Sequence, residues 1–279
     1  MFSSNPFAEL SASISPDIMQ TYVIVMVILV IGGTLIDVIH KKSAKYFFLN
    51  WRKSKTQGNS VGGGETVSVA VQTIAVDVIT SGEFCNPWRR VAHLLGMYGF
   101  VIYAIATAIM VFGYPTAASA TPAILPQLWH IGALMVAVGG YWFWFFIRGD
   151  VSAEGNPWYR IIRADLFILS LLASVTLALL WSGAQSSGSP GTSIMLGLYL
   201  MATTVLFGSV VWSKFSHMFY KPAAAFEKRM SEASGTRNNL PEPADRTDPA
   251  DRDRHSMELL KDAPLNMGLG IKREAPRHY

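Results

Sequence analysis

Cysteine is nearly absent from this chain, which holds a single one, Cys85. One thiol closes no internal disulfide. It also falls short of the cysteine sets that hold iron–sulfur clusters and structural zinc, so any redox centre has to be carried by histidine. Charge is scarce as well. Asp, Glu, Lys and Arg make up 15% of the residues, against about a quarter in soluble domains, which excludes an ordinary soluble fold. Lys and Arg are missing altogether from residues 1–19. No hydrolytic or nucleophilic constellation stands out.

What the chain has instead is apolar length. It is 51% hydrophobic with a mean hydropathy of +0.29. Five runs, near 20–40, 92–114, 127–148, 164–182 and 194–219, are long enough to cross a hydrocarbon core of roughly 30 Å. The first is too long, and too free of preceding basic residues, to be a cleaved signal. With five crossings, all 23 Lys and Arg fall on one side of the membrane. The positive-inside rule makes that side cytoplasmic and the N-terminus external. The expectation is an all-α membrane protein of five transmembrane helices. Residues 1–19 form a periplasmic N-terminus, 20–220 a membrane domain with a cytoplasmic linker at 41–90, and 221–279 a disordered cytoplasmic tail. The basic pI near 9.1 then reflects orientation in a bacterial inner membrane, and nucleic acid is not implied.

Between spans, KKSAKYFFLNWRKSK reads either as an amphipathic helix at the interface or as the snorkelling end of span one. QGNSVGGGE reads as a flexible linker. TVSVAVQTIAVDVIT fits a surface helix or a short strand equally. The end of span three, YWFWFFIRGD, puts six aromatics, Tyr141 to Phe146, where interfacial belts collect. Gly139 and Gly140 before it would admit a neighbouring helix or a flat cofactor. Within the tail, PEPADRTDPADRDR has disordered composition, and APLNMGLGIKREAPRHY reads either as a docking motif or as inert chain.

The histidines carry the chemistry. A histidine in a membrane segment is costly and calls for a reason. His93 opens span two and His217 closes span five, both beside basic residues and so at matched depth. Two such imidazoles can hold one haem b from opposite faces, with Arg89, Arg90, Lys214 and Lys221 as counter-charges for its propionates. Gly96 and Gly99 would leave room beside His93. The alternative is a pair of interfacial histidines among headgroups. His130, beside Trp129 at the outer end of span three, reads as an interfacial histidine, or else as a quinone contact. His40 follows Asp37 by three residues on one helix face. The pair reads either as a structural contact or as a quinol site, and His40 is the fallback ligand should His93 or His217 fail.

The two histidine segments, above all WSKFSHMFYKP, resemble the gamma subunit of respiratory nitrate reductase, a five-span cytochrome b, over roughly residues 18–225. The likeness extends to membrane anchors of sulfur metabolism. The YFFLNWRKSK stretch and the GLGIKREAPRHY ending are most similar to anchors associated with adenylylsulfate (APS) reductase. In the nitrate reductase family a second ligand pair lies ten residues after the first histidine and eighteen before the last; here those positions are Tyr103 and Tyr199. The resemblance therefore implies one haem b on the inner side, with the tyrosines filling the second space and sharing hydrogen bonds. It also implies quinone as substrate and a cytoplasmic flavin and iron–sulfur oxidoreductase, APS reductase, as partner. The expected function is a membrane anchor and electron-transfer subunit, not catalytic alone. Its alternatives are a haem-free anchor that binds quinone directly and, lower, a transporter.

Overall fold

The computed structural model describes residues 2–40, 45–82, 84, 86–149, 155–237 and 240. Cys85 and the tail from Asn238 onward, Leu240 apart, lie outside the described residues, and with them the expected disorder and docking motif.

Among the described residues every regular element is helical. Short α1 (Pro6–Leu10) precedes long α2 (Pro16–His40). Then come α3 (Lys45–Gln57) and α4 (Gly63–Gln72), which continues as π-helical turns over Thr73–Ile79. α5 spans Pro87–Gly113, and α6 (Ile124–Trp142) ends in a π turn over Phe143–Ile147. The last three are α7 (Leu166–Ser186), α8 (Thr192–Gly208) and α9 (His217–Ala233). The ambiguous TVSVAVQTIAVDVIT is thus helix, and KYFFLNWRKSK forms a helix of its own. Local rules set the starts. Asn86 caps α5 by accepting from the Trp88 and Arg89 amides, with Pro87 at the first position, where its missing N–H costs nothing.

Four helices have the length and apolar composition to cross a membrane: Pro16–His40, Pro87–Gly113, Ile124–Ile147 and Arg163–Ser186. The chain is a multi-pass membrane protein on that basis. The fifth expected run does not continue as one helix. It stops at Gly208, turns through Ser209 to Ser213, and restarts as α9 at His217. The Ser213 side chain accepts from the Phe215 amide and so begins the new helix.

Helices in lipid gain little from hydrophobic burial against one another, so close backbone contact and hydrogen bonds decide the packing. α5 and α6 meet along Gly99, Gly132 and Gly139. A Cβ on Gly132 would stand 2.7 Å from the Tyr103 amide nitrogen, and one on Gly139 would stand 2.6 Å from the Ala92 carbonyl. Gly99 therefore serves helix contact, and so do Gly139 and Gly140, the latter against Leu172. α6 and α7 are tied by Tyr141 to Thr176 at 2.9 Å, and α7 and α8 by Ser174 to Thr203 at 2.8 Å. α2 lies on α8, where the Tyr22 hydroxyl donates to the Leu200 carbonyl, and reaches α5 through Gln20 to the Val111 carbonyl.

One end of this bundle is sealed by α1. Asn5 donates to the Tyr114 carbonyl and Gln185 to the Pro6 carbonyl, which wedges Phe7 between Trp129 and Trp181. At the opposite end lie α3, α4 and α9, with Trp51 stacked on Phe226 at 5.5 Å. Gly132→Ala should lower the thermal stability of the detergent-solubilised protein by about 1–3 kcal/mol, since overpacking presses backbone on backbone. Gly197→Ala, which meets nothing within 4 Å, should leave the melting temperature unchanged or slightly raised.

Candidate functional site

His93 stands in the second turn of α5, half-buried. Its Nδ1 shares a hydrogen bond of 3.1 Å with the Ser81 hydroxyl, and its ring tilts against Phe84 at 4.7 Å between centroids. His217 opens α9, also half-buried, with Nδ1 bonded to the Lys214 carbonyl and the ring edge-on to Phe167. A carbonyl only accepts, so Nδ1 of His217 carries the proton and Nε2 keeps its lone pair. The two imidazoles lie at the same end of the bundle, where the segment that leads to Ser81 packs against α9. The break after Gly208 frees His217 from the α8 axis and sets it at the start of a new helix.

The flanking cations divide. Arg89, one helical turn before His93, holds its guanidinium 5.4 Å from the Phe84 ring centre. Arg90 spends Nε on the Thr80 carbonyl at 2.6 Å, which anchors the loop that carries Ser81. Lys214 contributes its carbonyl to His217, and Lys221 is exposed on α9. Asp37 is buried at 5% exposure whereas His40 is exposed at the end of α2, so the two do not share an environment. Gly96 faces open space.

His130 corrects its expectation of an interfacial position. It is 0% exposed. Nδ1 bonds the Pro126 carbonyl at 2.6 Å, so the Ser182 hydroxyl donates to Nε2 at 2.9 Å. Both nitrogens are satisfied, and the residue is a packing link between α6 and α7.

Tyr103 and Tyr199 share a hydrogen bond of 2.8 Å between their hydroxyls, and both are buried. Trp129 packs against Tyr103 at 5.3 Å, and Trp181 stacks on Tyr199 at 5.7 Å. The Trp129 indole donates to Thr107. Four large rings thus fill the bundle toward its α1 end, about 15 Å along α5 from His93 at 1.5 Å per residue.

Sequence reading missed the most heavily bonded charge. Arg148 is 0% exposed. It pairs with Asp165 and donates to the carbonyls of Asn156, Pro157 and Arg160. It also lies 4.4 Å from the Trp144 ring. Its place in IRGD, at the end of an aromatic run, made it one more basic residue in a topology count. The signal available was Asp165, an acid at the very start of an apolar span.

Tyr199→Phe should strand the buried Tyr103 hydroxyl and cost about 1–3 kcal/mol of stability. The double variant Tyr103→Phe/Tyr199→Phe removes donor and acceptor together and should recover most of that loss. Thermal unfolding in detergent reads both.

No family model matches the chain, and no solved structure matches it. The chain is 28% identical over 173 residues to citrate utilization protein B of Escherichia coli, a match that covers 55% of this chain and 44% of that protein. The chain thus spans less than half the length of the curated relative it matches. The cytochrome b resemblance gains no support from these comparisons.

Proposed function

We propose that this chain is the membrane anchor and electron-transfer subunit of an oxidoreductase complex in the bacterial inner membrane. In this reading α8 is a fifth crossing, the α1 end faces the periplasm, and α3, α4 and α9 face the cytoplasm. The observation that carries it is the placement of His93 and His217, from two separate helices, at the same end of the bundle. Each has Nδ1 held by the protein, a second contact of the kind that fixes the tautomer and ring of metal-ligating histidines.

The chemistry of these residues suits a haem b. His93 and His217 would hold its iron, and Arg89, Arg90, Lys214 and Lys221 would supply positive charge for its carboxylates. When bound, haem would supply reversible one-electron chemistry. The protein's own part is to orient the imidazoles through Ser81 and the Lys214 carbonyl and to keep a positive rim. The Tyr103–Tyr199 pair, with Trp129 and Trp181 around it, fills the space where a second such group would sit, which favours one inner centre. Quinone is the proposed membrane substrate. The open face of α6 and its π turn at Val138, Tyr141, Trp142, Phe145 and Phe146 offers apolar and aromatic surface for a ring and prenyl tail; Asp37 and His40, on α2, are separately proposed as proton-handling groups. A cytoplasmic flavin and iron–sulfur enzyme, APS reductase by the resemblance, is the proposed partner.

The lower alternative, a transporter of an anionic substrate, would need a buried cation free to meet it. Arg148, the buried cation among the described residues, is saturated by Asp165 and three carbonyls. That leaves it nothing for such a substrate.

Protein purified after expression with ample haem should show a reduced-minus-oxidised b-type spectrum and about one haem per chain by pyridine haemochrome. His217→Ala and His93→Ala should each abolish the signal. Colourless wild-type protein would overturn the haem assignment and leave the haem-free anchor.

A further inference from the structure

The α4 helix and its π-helical continuation present a face that nothing in the bundle covers. Val67, Val71 and Ile74 are 62%, 60% and 55% exposed and recur at the four- and three-residue spacing of one helix face. The opposite face is occupied. Thr73 is 2% exposed, and Asp77 is held by Arg229 of α9 through two bonds of 2.7 and 3.0 Å. The pair turns the one charge between Val67 and Ile79 inward, so the outward stripe is apolar and unbroken.

The end of this segment is fastened along the opening turns of α5, itself one of the four membrane-length helices. Arg90 donates to the Thr80 carbonyl, Ser81 bonds His93, and the Tyr98 hydroxyl donates to the Ile79 carbonyl at 2.7 Å. Tyr98 lies eight residues beyond Arg90, about 12 Å further along the helix. The end of the strap is therefore tied to the start of a membrane span, while its body packs on α9. Basic side chains, among them Arg52, Lys53, Lys214 and Lys221, are exposed on the neighbouring α3 and on the α9 side. An apolar run of this length beside a span is the pattern of an interfacial or re-entrant segment. Exposed cations around it match anionic headgroups.

We propose that the Val67–Val71–Ile74 face is a lipid contact: α4 lies in the inner leaflet with this stripe against the acyl chains, and Asp77–Arg229 is the ion pair that permits it. The inference does not rest on haem or quinone. It makes the strap that holds Ser81 against His93 an element seated in the bilayer.

Spin labels on single cysteines test this, placed at Val71 and Ile74 in a Cys85→Ser background. Full-length protein is reconstituted in phosphatidylethanolamine–phosphatidylglycerol vesicles. Collision with oxygen is compared with collision with a water-soluble nickel chelate. Ile105, 55% exposed at mid-helix in α5, serves as the lipid reference and Ser187 as the water reference. Both test sites are expected to favour oxygen, as Ile105 does. A chelate-favoured ratio at either site, like that of Ser187, overturns the proposal and assigns the stripe to water and hence to a soluble protein surface. The His93 and His217 haem spectrum is read separately, so failure of one reading leaves the other distinguishable.

Discussion

Inside a hydrocarbon layer a polar group has no water to fall back on, and the arrangement of this protein follows from where its polar groups find partners. His130 spans from the Pro126 carbonyl to Ser182. Ser174 meets Thr203, and Tyr103 meets Tyr199. Each bond joins two helices or closes a turn, and each sits where a misplaced helix would leave a donor or acceptor unpaired at a cost of several kcal/mol. Glycine contacts between α5 and α6 bring the backbones together, while the bonded pairs set register. Arg148 and Asp165 extend the logic to charge at the membrane edge. The ion pair and three carbonyls fold the 155–165 segment back over the end of α6.

Against that background the imidazoles of His93 and His217 stand out. Each has Nδ1 anchored, and His217 owes its place at a helix start to a break in the last apolar run. Toward the α1 end the bundle is filled by rings and sealed by Phe7. Toward the α9 end it gathers titratable and cationic side chains.

Much of this was legible in the residues. Uninterrupted apolar length announced the four long helices. The Tyr103–Tyr199 pair was singled out by the cytochrome b resemblance alone, since nothing in their own spacing marks two tyrosines 96 residues apart as partners. Three things were hidden for physical reasons. The break after Gly208 falls in continuously apolar sequence, where hydropathy has no contrast to offer; only Ser209 and Ser213 hinted at a turn. The burial of His130 depended on Ser182, a partner 52 residues away in a helix without charge. Arg148 was masked by its neighbours in sequence, because a basic residue at the end of an aromatic run satisfies a topology rule without needing an ion pair.

The early end of α8 has a mechanical consequence. At 17 residues it is about 25 Å long at 1.5 Å per residue, a few Å short of an average hydrocarbon core. Its outward residues Ile194, Met201 and Val205 are exposed, while Val210 and Phe215 in the turn that follows are buried, shielding irregular backbone with protein. As the proposed fifth crossing, α8 would create a hydrophobic mismatch confined to one side of the molecule. The bilayer there would thin toward the helix, drawing headgroups down beside the α8–α9 turn and thus toward His217. A lipid-dissolved reactant would have its shortest route to the inner surface at that dimple.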